Sequence, residues 1–216
     1  MGHISTNRRC RSHAVLTFAV GVVVAAVFLA ALSGCVSRSQ GTVTNYYVLE
    51  FDESVGAASP EASLGGHVVV HDSEIAKLYD RRQLVQRLDG PLVRYRSTEL
   101  WAVSPTTAVG NLVRQGLAES GLFEGVTQGR DARGRFEVTA RIDELAYRCC
   151  TGPVSAEIAG GFTLKEAGAE ILHHEFSRSE ELPDTEARTF VEAVVDVLSA
   201  ELARFIELIP GAVEEQ

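Results

Sequence analysis

The stretch SPTTAVGNLVRQGLAESGL, Ser104 to Leu122, is where the chain changes its hydrophobic period. Ser104 stands as an N-cap, and Pro105 takes the first helical position, where a missing N–H costs nothing. Val109, Leu112, Val113 and Leu117 then recur at helical spacing. Gly121 is placed to adopt the left-handed conformation that closes a helix, with Leu122 reaching back to Leu117. The spacing predicts one helix with both ends marked. The segments on either side alternate instead, and that contrast sets the fold class.

Upstream, YYVLEF (Tyr46–Phe51) and HVVVHD (His67–Asp72) have the aromatic and β-branched content of strands. Asp89-Gly90 sits between the strand-like runs RRQLVQRL and LVRYRS, a hairpin signal, and Pro91 asks for an edge strand or a longer turn. Downstream, Phe136, Val138, Ala140 and Ile142 alternate and then slip phase to Leu145 and Tyr147, which predicts a bulge near Asp143-Glu144. VSAEIAGGFTLK alternates through Val154, Ala156, Ile158, Phe162 and Leu164, its two glycines marking a close backbone approach or a kink. The turn EAGA joins it to EILHHEF. After LPDTE, the residues Phe190, Val191, Val194, Leu198, Leu202, Phe205, Ile206 and Ile209 form the apolar face of a second helix. Asp184 or Thr185 is its expected cap, and Pro210-Gly211 its expected end. About six strands with two main helices predict a single α/β (or α+β) domain, a mixed sheet with helices packed on it.

The chain has 216 residues and a net charge of -9, with 45% hydrophobic and 23% charged residues, enough apolar material for one core. Its charge is asymmetric. Arg8, Arg9 and Arg11 precede the apolar run, and the first acidic residue is Glu50. The part after Cys35 is therefore more acidic than the whole, which argues against nucleic-acid binding, since that needs phosphate neutralisation. The uncharged run Ala14–Leu32 has the order of a secretory signal, a basic region followed by an apolar one. It ends in LSGC, Leu32 to Cys35. This sequence resembles the lipobox of bacterial lipoproteins, which implies lipid on the Cys35 thiol, cleavage after Gly34 and acylation of the new amino terminus. The expected organisation is a signal peptide over 1–34, a lipidated tether over 35–44, a domain over 45–210 and a mobile tail over 211–216. Val36 and Ser37 follow the cysteine in place of the Asp that resembles an inner-membrane retention signal, so the outer membrane, facing the periplasm, is expected.

The lipobox, the tether, YYVL and then LVQRL, VRYRSTELWAVSP and VGNLVRQGL occur in an order that resembles the auxiliary lipoproteins of ABC-type transporters, including the lipoprotein of the paraquat-inducible MCE (mammalian cell entry) system. The resemblance is strongest from Gln83 to Leu117 and extends over most of the mature chain. It implies a non-catalytic periplasmic subunit, anchored in the outer membrane, that docks an MCE-domain protein carrying lipid or other hydrophobic molecules. A permease and an ATPase would be indirect partners, and a homo-oligomeric ring a form suited to docking. It implies no cofactor beyond the covalent lipid. YRCCTGP departs from the family's pattern. A function of a different class, scaffolding of an outer-membrane protein, is the alternative.

Among side chains that could carry chemistry, Trp101 is the only tryptophan. It is either a core residue at the sheet edge or, with Arg94, Tyr95 and Arg96, a contact for a partner, since these types are enriched at hot spots. Cys149 and Cys150 stay open as an adjacent-residue disulfide, strained because consecutive Cα atoms lie only about 3.8 Å apart, or as an incidental pair. His67 and His71 would stand on one strand face roughly 13 Å apart, too far to share an ion unaided. The acidic pairs Asp52-Glu53, Asp143-Glu144 and Glu180-Glu181 suit loops, bulges and solvated edges. The sequence contains no nucleophile elbow, P-loop or dinucleotide signature, so a non-catalytic protein without metal is expected.

Overall fold

The computed structural model describes residues 43–50, 63–129, 132–149 and 152–215. The apolar run, Cys35, its tether up to residue 42, Asp52-Glu53 and Cys150 lie outside the described residues. The described elements follow in the order β1 (Asn45–Tyr47), β2 (His67–Val70), β3 (Glu74–Ile75), β4 (Gln83–Arg87), β5 (Val93–Trp101), α1 (Pro105–Glu119), β6 (Gly125–Gln128), β7 (Phe136–Arg148), β8 (Ser155–Glu166), β9 (Ala169–Glu181) and α2 (Ala187–Glu214). This is the expected mixed sheet with two helices, but with nine strands rather than about six. The short β3 and β6 are the ones that patterning missed. Two to four residues are too few to show a period, and these become strands only by pairing in parallel with β7 and β2.

β7 is the spine of the sheet. Along one side it pairs with antiparallel β8 over nearly its whole length, and β8 carries β9. Along the other side it takes β2, β3 and β4 in turn, all parallel. β4 forms the expected hairpin with β5, and β1 adds in parallel to β5. Ile142 faces Gly160 and Glu144 faces Ala159, so Asp143 is the extra residue of a bulge. That bulge converts an even inward-facing series into the odd series Leu145 and Tyr147, as the slip in the sequence predicts. At the β8–β9 turn Ala167 and Gly168 both take positive φ, 51° and 83°, the pair of left-handed residues that a two-residue hairpin favours.

α1 begins as its sequence demands: the Ser104 hydroxyl accepts from the Thr107 amide at 3.3 Å, and Gly121 takes φ 66° just past its end. α2 differs from expectation at both ends. Glu186 is the N-cap, without a side-chain bond, while the Asp184 carboxylate accepts from the Glu186 amide at 2.8 Å one step earlier. The helix runs through Pro210 to Glu214 instead of ending at Pro210-Gly211. Proline's fixed φ is itself helical, and the amides that follow it still find acceptors, as Glu215 does on Gly211 at 3.3 Å. α1 packs on β2, β3, β6 and β7, α2 on β8 and β9, and the helices meet each other. The core lies between them and the sheet. Phe162 of β8 sits 5.5 Å from both Phe176 and Phe205, and Phe190 of α2 meets Trp101 and Tyr147.

β1 is short and depends on side chains. The Tyr47 hydroxyl donates to Glu99 at 2.6 Å, and Asn45 donates to the same carboxylate at 3.2 Å. Burial, then the bond to Glu99, pushes the Tyr47 pKa up to about 12. The neutral phenol is thus favoured in the folded state, so this contribution is intact below the unfolded value of about 10 and is lost as pH rises through the folded value. Tyr47→Phe is expected to flatten the fall in melting temperature across that alkaline window. Melting curves of both proteins against pH, with phenolate absorbance, check it.

Candidate functional site

Three concave regions among the described residues are built by these elements, and one of them, about 610 Å³, lies by His71, Glu74 and Asp80. The first arises from a second irregularity in the sheet. Gln83 pairs with Leu100 and Val85 with Tyr95, so the four residues Arg96–Glu99 on β5 face the single Leu84 on β4. The excess chain bows out and leaves a cleft of about 500 Å³, lined by Gln86, Arg94–Thr98, Tyr147, Cys149 and Thr185. The bulge brings together residues that lie far apart in sequence, from β4, β5, β7 and the segment before α2.

Three of the four candidate contact residues lie here, and Trp101 does not. Arg94 and Tyr95 are exposed, Tyr95 at 39%, with the Arg81 guanidinium 3.9 Å from its ring centroid. Arg96 lies 5.6 Å from the Tyr147 ring and donates to the Thr185 carbonyl at 3.4 Å. Trp101 is 2% exposed and its ring lies 6.3 Å from that of Phe190. It is a core residue, because the end of β5 turns inward beneath α2, and its side chain offers no surface to a partner. Tyr147 lies at the cleft's inner wall. Its hydroxyl is buried, and the Thr185 side chain lies near enough to act on it as a weak hydrogen-bond partner. Burial raises its pKa, against the opposing influence of the Arg96 charge and the Thr185 side chain. Gln86 donates to the Cys149 sulfur at 2.7 Å, and Cys149 is disulfide-bonded. Cys150, the neighbour weighed as its partner, lies outside the described residues.

The second concavity, about 510 Å³, runs between the end of β9 and α2. At its base Glu201 is only 2% exposed. One carboxylate oxygen takes Arg178 at 2.6 Å and Arg204 at 3.2 Å, and the other takes His174 at 2.9 Å. Patterning overlooked this residue, although a charge between Leu198, Leu202 and Phe205 on an apolar helix face is a visible signal. Removing a cation leaves the Glu201 charge buried, whereas removing Glu201 leaves Arg178 and Arg204, which water still reaches. Arg178→Ala is therefore expected to destabilise by about 2 kcal/mol, discounted because Arg178 is partly solvated and two partners remain. Glu201→Leu is expected to stay within about 1 kcal/mol of the parent. Urea denaturation of both variants gives the comparison.

The histidines and the acidic pair at the bulge do not converge on one point. His71 pairs with Glu137 at 3.1 Å, His173 with Glu175 at 3.2 Å, and His174 with Glu201. Glu144 beside the bulge holds Arg87 at 2.6 Å. Among the described residues there is no group of three or more His, Cys, Asp or Glu side chains able to hold a metal, and no helix long and apolar enough to cross a membrane.

Residues 47–207 match the sequence model of a family described as ABC-type transport auxiliary lipoprotein component. No curated protein matches the chain. The crystal structure of protein XCC0632 from Xanthomonas campestris, of family DUF330, is similar at 14% identity with a TM-score of 0.68, covering 80% of this chain and 99% of that one. A crystal structure of an uncharacterized protein is similar at 12% identity with a TM-score of 0.62, covering 77% and 99%. At these identities the likeness is one of fold.

Proposed function

We propose, from the premise that this chain belongs to the family of ABC-type transport auxiliary lipoprotein components, that it is the outer-membrane-anchored subunit of an MCE-type system moving lipid or other hydrophobic molecules. The observation that carries this reading is the family match, which begins at Tyr47 in β1 and runs into α2. LSGC supports an acyl anchor on Cys35, and residues 35–44 would be the tether. Several acyl chains would hold such a protein firmly, at about 0.8 kcal/mol per buried CH₂. The domain would face the periplasm and dock the MCE-domain protein, while a separate subunit hydrolyses ATP. Its own role would be positional rather than catalytic. Tyr46 and Tyr95, exposed on neighbouring strands with Arg82 and Arg81 against their rings, support docking at the β1–β5 edge.

The test is purification of the full-length, lipidated protein from gently solubilised envelopes, with co-eluting proteins identified by mass spectrometry. An MCE-domain protein arriving with a permease and an ATPase is the expected result. An outer-membrane barrel alone would favour the scaffolding role instead. Mass analysis of the amino-terminal peptide, expected to begin at an acylated Cys35, checks the anchor separately.

A further inference from the structure

We infer that the cleft at the β5 bulge is a binding site for a phosphate ester. The inference goes beyond the docking role and stands whether or not that role is right. It starts from charge. In a protein of net charge -9, the arginines of β7 and β9 are held by carboxylates: Arg141 by Asp143 and Glu175, Arg148 by Glu157, and Arg178 by Glu201. Arg94 and Arg96, side by side in one concavity, pair with no carboxylate among the described residues. None of the described residues lining that cleft is acidic. Glu99 is held by Tyr47 and Asn45, and Asp184, whose charge reaches Tyr147 but which does not line the cleft, accepts from the Glu186 amide. The cleft is therefore a positive depression in an acidic surface, a geometry that concentrates anions.

The donors identify the class of anion. Ser97, Thr98 and Thr185 line the cleft, and Tyr147, 1% exposed, stands at its inner wall with its phenol against the Thr185 side chain. Two guanidinium forks, with Ser97, Thr98 and Thr185 beside them, offer more donors than the two oxygens of one carboxylate accept. The several oxygens of a phosphate ester match them, and arginine is suited to such planar, multidentate recognition. The volume, about 500 Å³, suits a headgroup-sized ligand. The β5 bulge gives the cleft its shape, since in a regular β4–β5 ladder residues 96–98 would alternate across the sheet instead of gathering on one concavity.

The experiment uses the full-length protein in a non-ionic detergent, titrated calorimetrically with two probes: inorganic phosphate, and glycerophosphoglycerol, the deacylated headgroup of an anionic phospholipid. Saturable binding that weakens with added salt is expected for at least one. Tighter binding of glycerophosphoglycerol supports an esterified lipid headgroup; equal or tighter binding of inorganic phosphate would overturn the ester in favour of free phosphate. Arg94→Gln and Arg96→Gln are each expected to weaken binding by about tenfold or more. Absence of binding to both probes would overturn the proposal. So would binding that survives the double arginine variant in folded protein, or binding only to an acidic peptide such as hexaglutamate, which would mark the cleft as a protein contact.

Discussion

Gly160→Ala is expected to destabilise the domain by more than about 3 kcal/mol, a large part of the stability of an ordinary domain. A Cβ at this position would collide with the carbonyl oxygen of Arg141, and the carbonyl carbon and the Ile142 Cα lie 3.1 Å from it. Neither backbone can withdraw. Gly160 is paired to Ile142 of β7 on one side and to Phe176 of β9 on the other, and the Asp143 bulge directly follows its partner. The neighbouring Gly161 faces a similar limit, with the His174 carbonyl oxygen 2.9 Å from a Cβ. For a domain of this size, 3 kcal/mol corresponds to a fall in melting temperature of roughly 6–12 °C. Gly211→Ala is the control. Nothing lies within 4 Å of a Cβ there, and alanine's helix propensity makes that change neutral to stabilising, by up to about 1 kcal/mol. Urea denaturation followed by far-UV circular dichroism compares the two. A Gly160→Ala protein as stable as the parent would show that β7 and β8 do not approach so closely.

Trp101→Ala is expected to cost about 3–5 kcal/mol, the range for truncating a buried aromatic residue. The residue secures two junctions at once. Its ring packs on Phe190 of α2. Its backbone amide donates to the Arg82 carbonyl at 2.7 Å, and its carbonyl accepts from the Arg82 guanidinium at 3.1 Å. The end of β5, the start of β4 and the first turn of α2 would therefore loosen together. Trp101→Phe is expected to recover part of the loss by keeping an aromatic contact. Binding to a partner, measured well below the melting temperature, is expected to be unchanged. A stable Trp101→Ala protein that had lost its partner would instead return this residue to the surface. As the only tryptophan, it also reports the transition in the parent, through an emission that shifts to the red on unfolding.

Much of this architecture was legible residue by residue. The cap at Ser104, the left-handed Gly121, the hairpin at Asp89-Gly90, the EAGA turn and the bulge at Asp143 are encoded by neighbours within a few positions, so their chemistry can be read locally. The glycines of AGGF announced a close approach without saying to what. The end of α2 misled because Pro210 and Gly211 are signals of termination only where the chain has somewhere else to go, and here the following amides still find acceptors in the helix. β3 and β6 were silent because their strand character is borrowed from longer partners.

What the sequence by itself determined is the class of fold, the two helices, the order of the long strands and the resemblance to transport lipoproteins, each carried by periodicity or by a contiguous motif. What only the tertiary structure decided is where function can reside. The bowing of β5 depends on a register set jointly with β4, and no property of residues 96–99 alone prescribes it. That register placed Arg94 and Arg96 in one cleft with Tyr147 and Thr185, and sent Trp101 into the core. The same holds for Glu201, whose three partners come from β9 and the next turn of its own helix. Charges are compensated or left open by what the fold brings opposite them, and that is decided by pairing between distant segments.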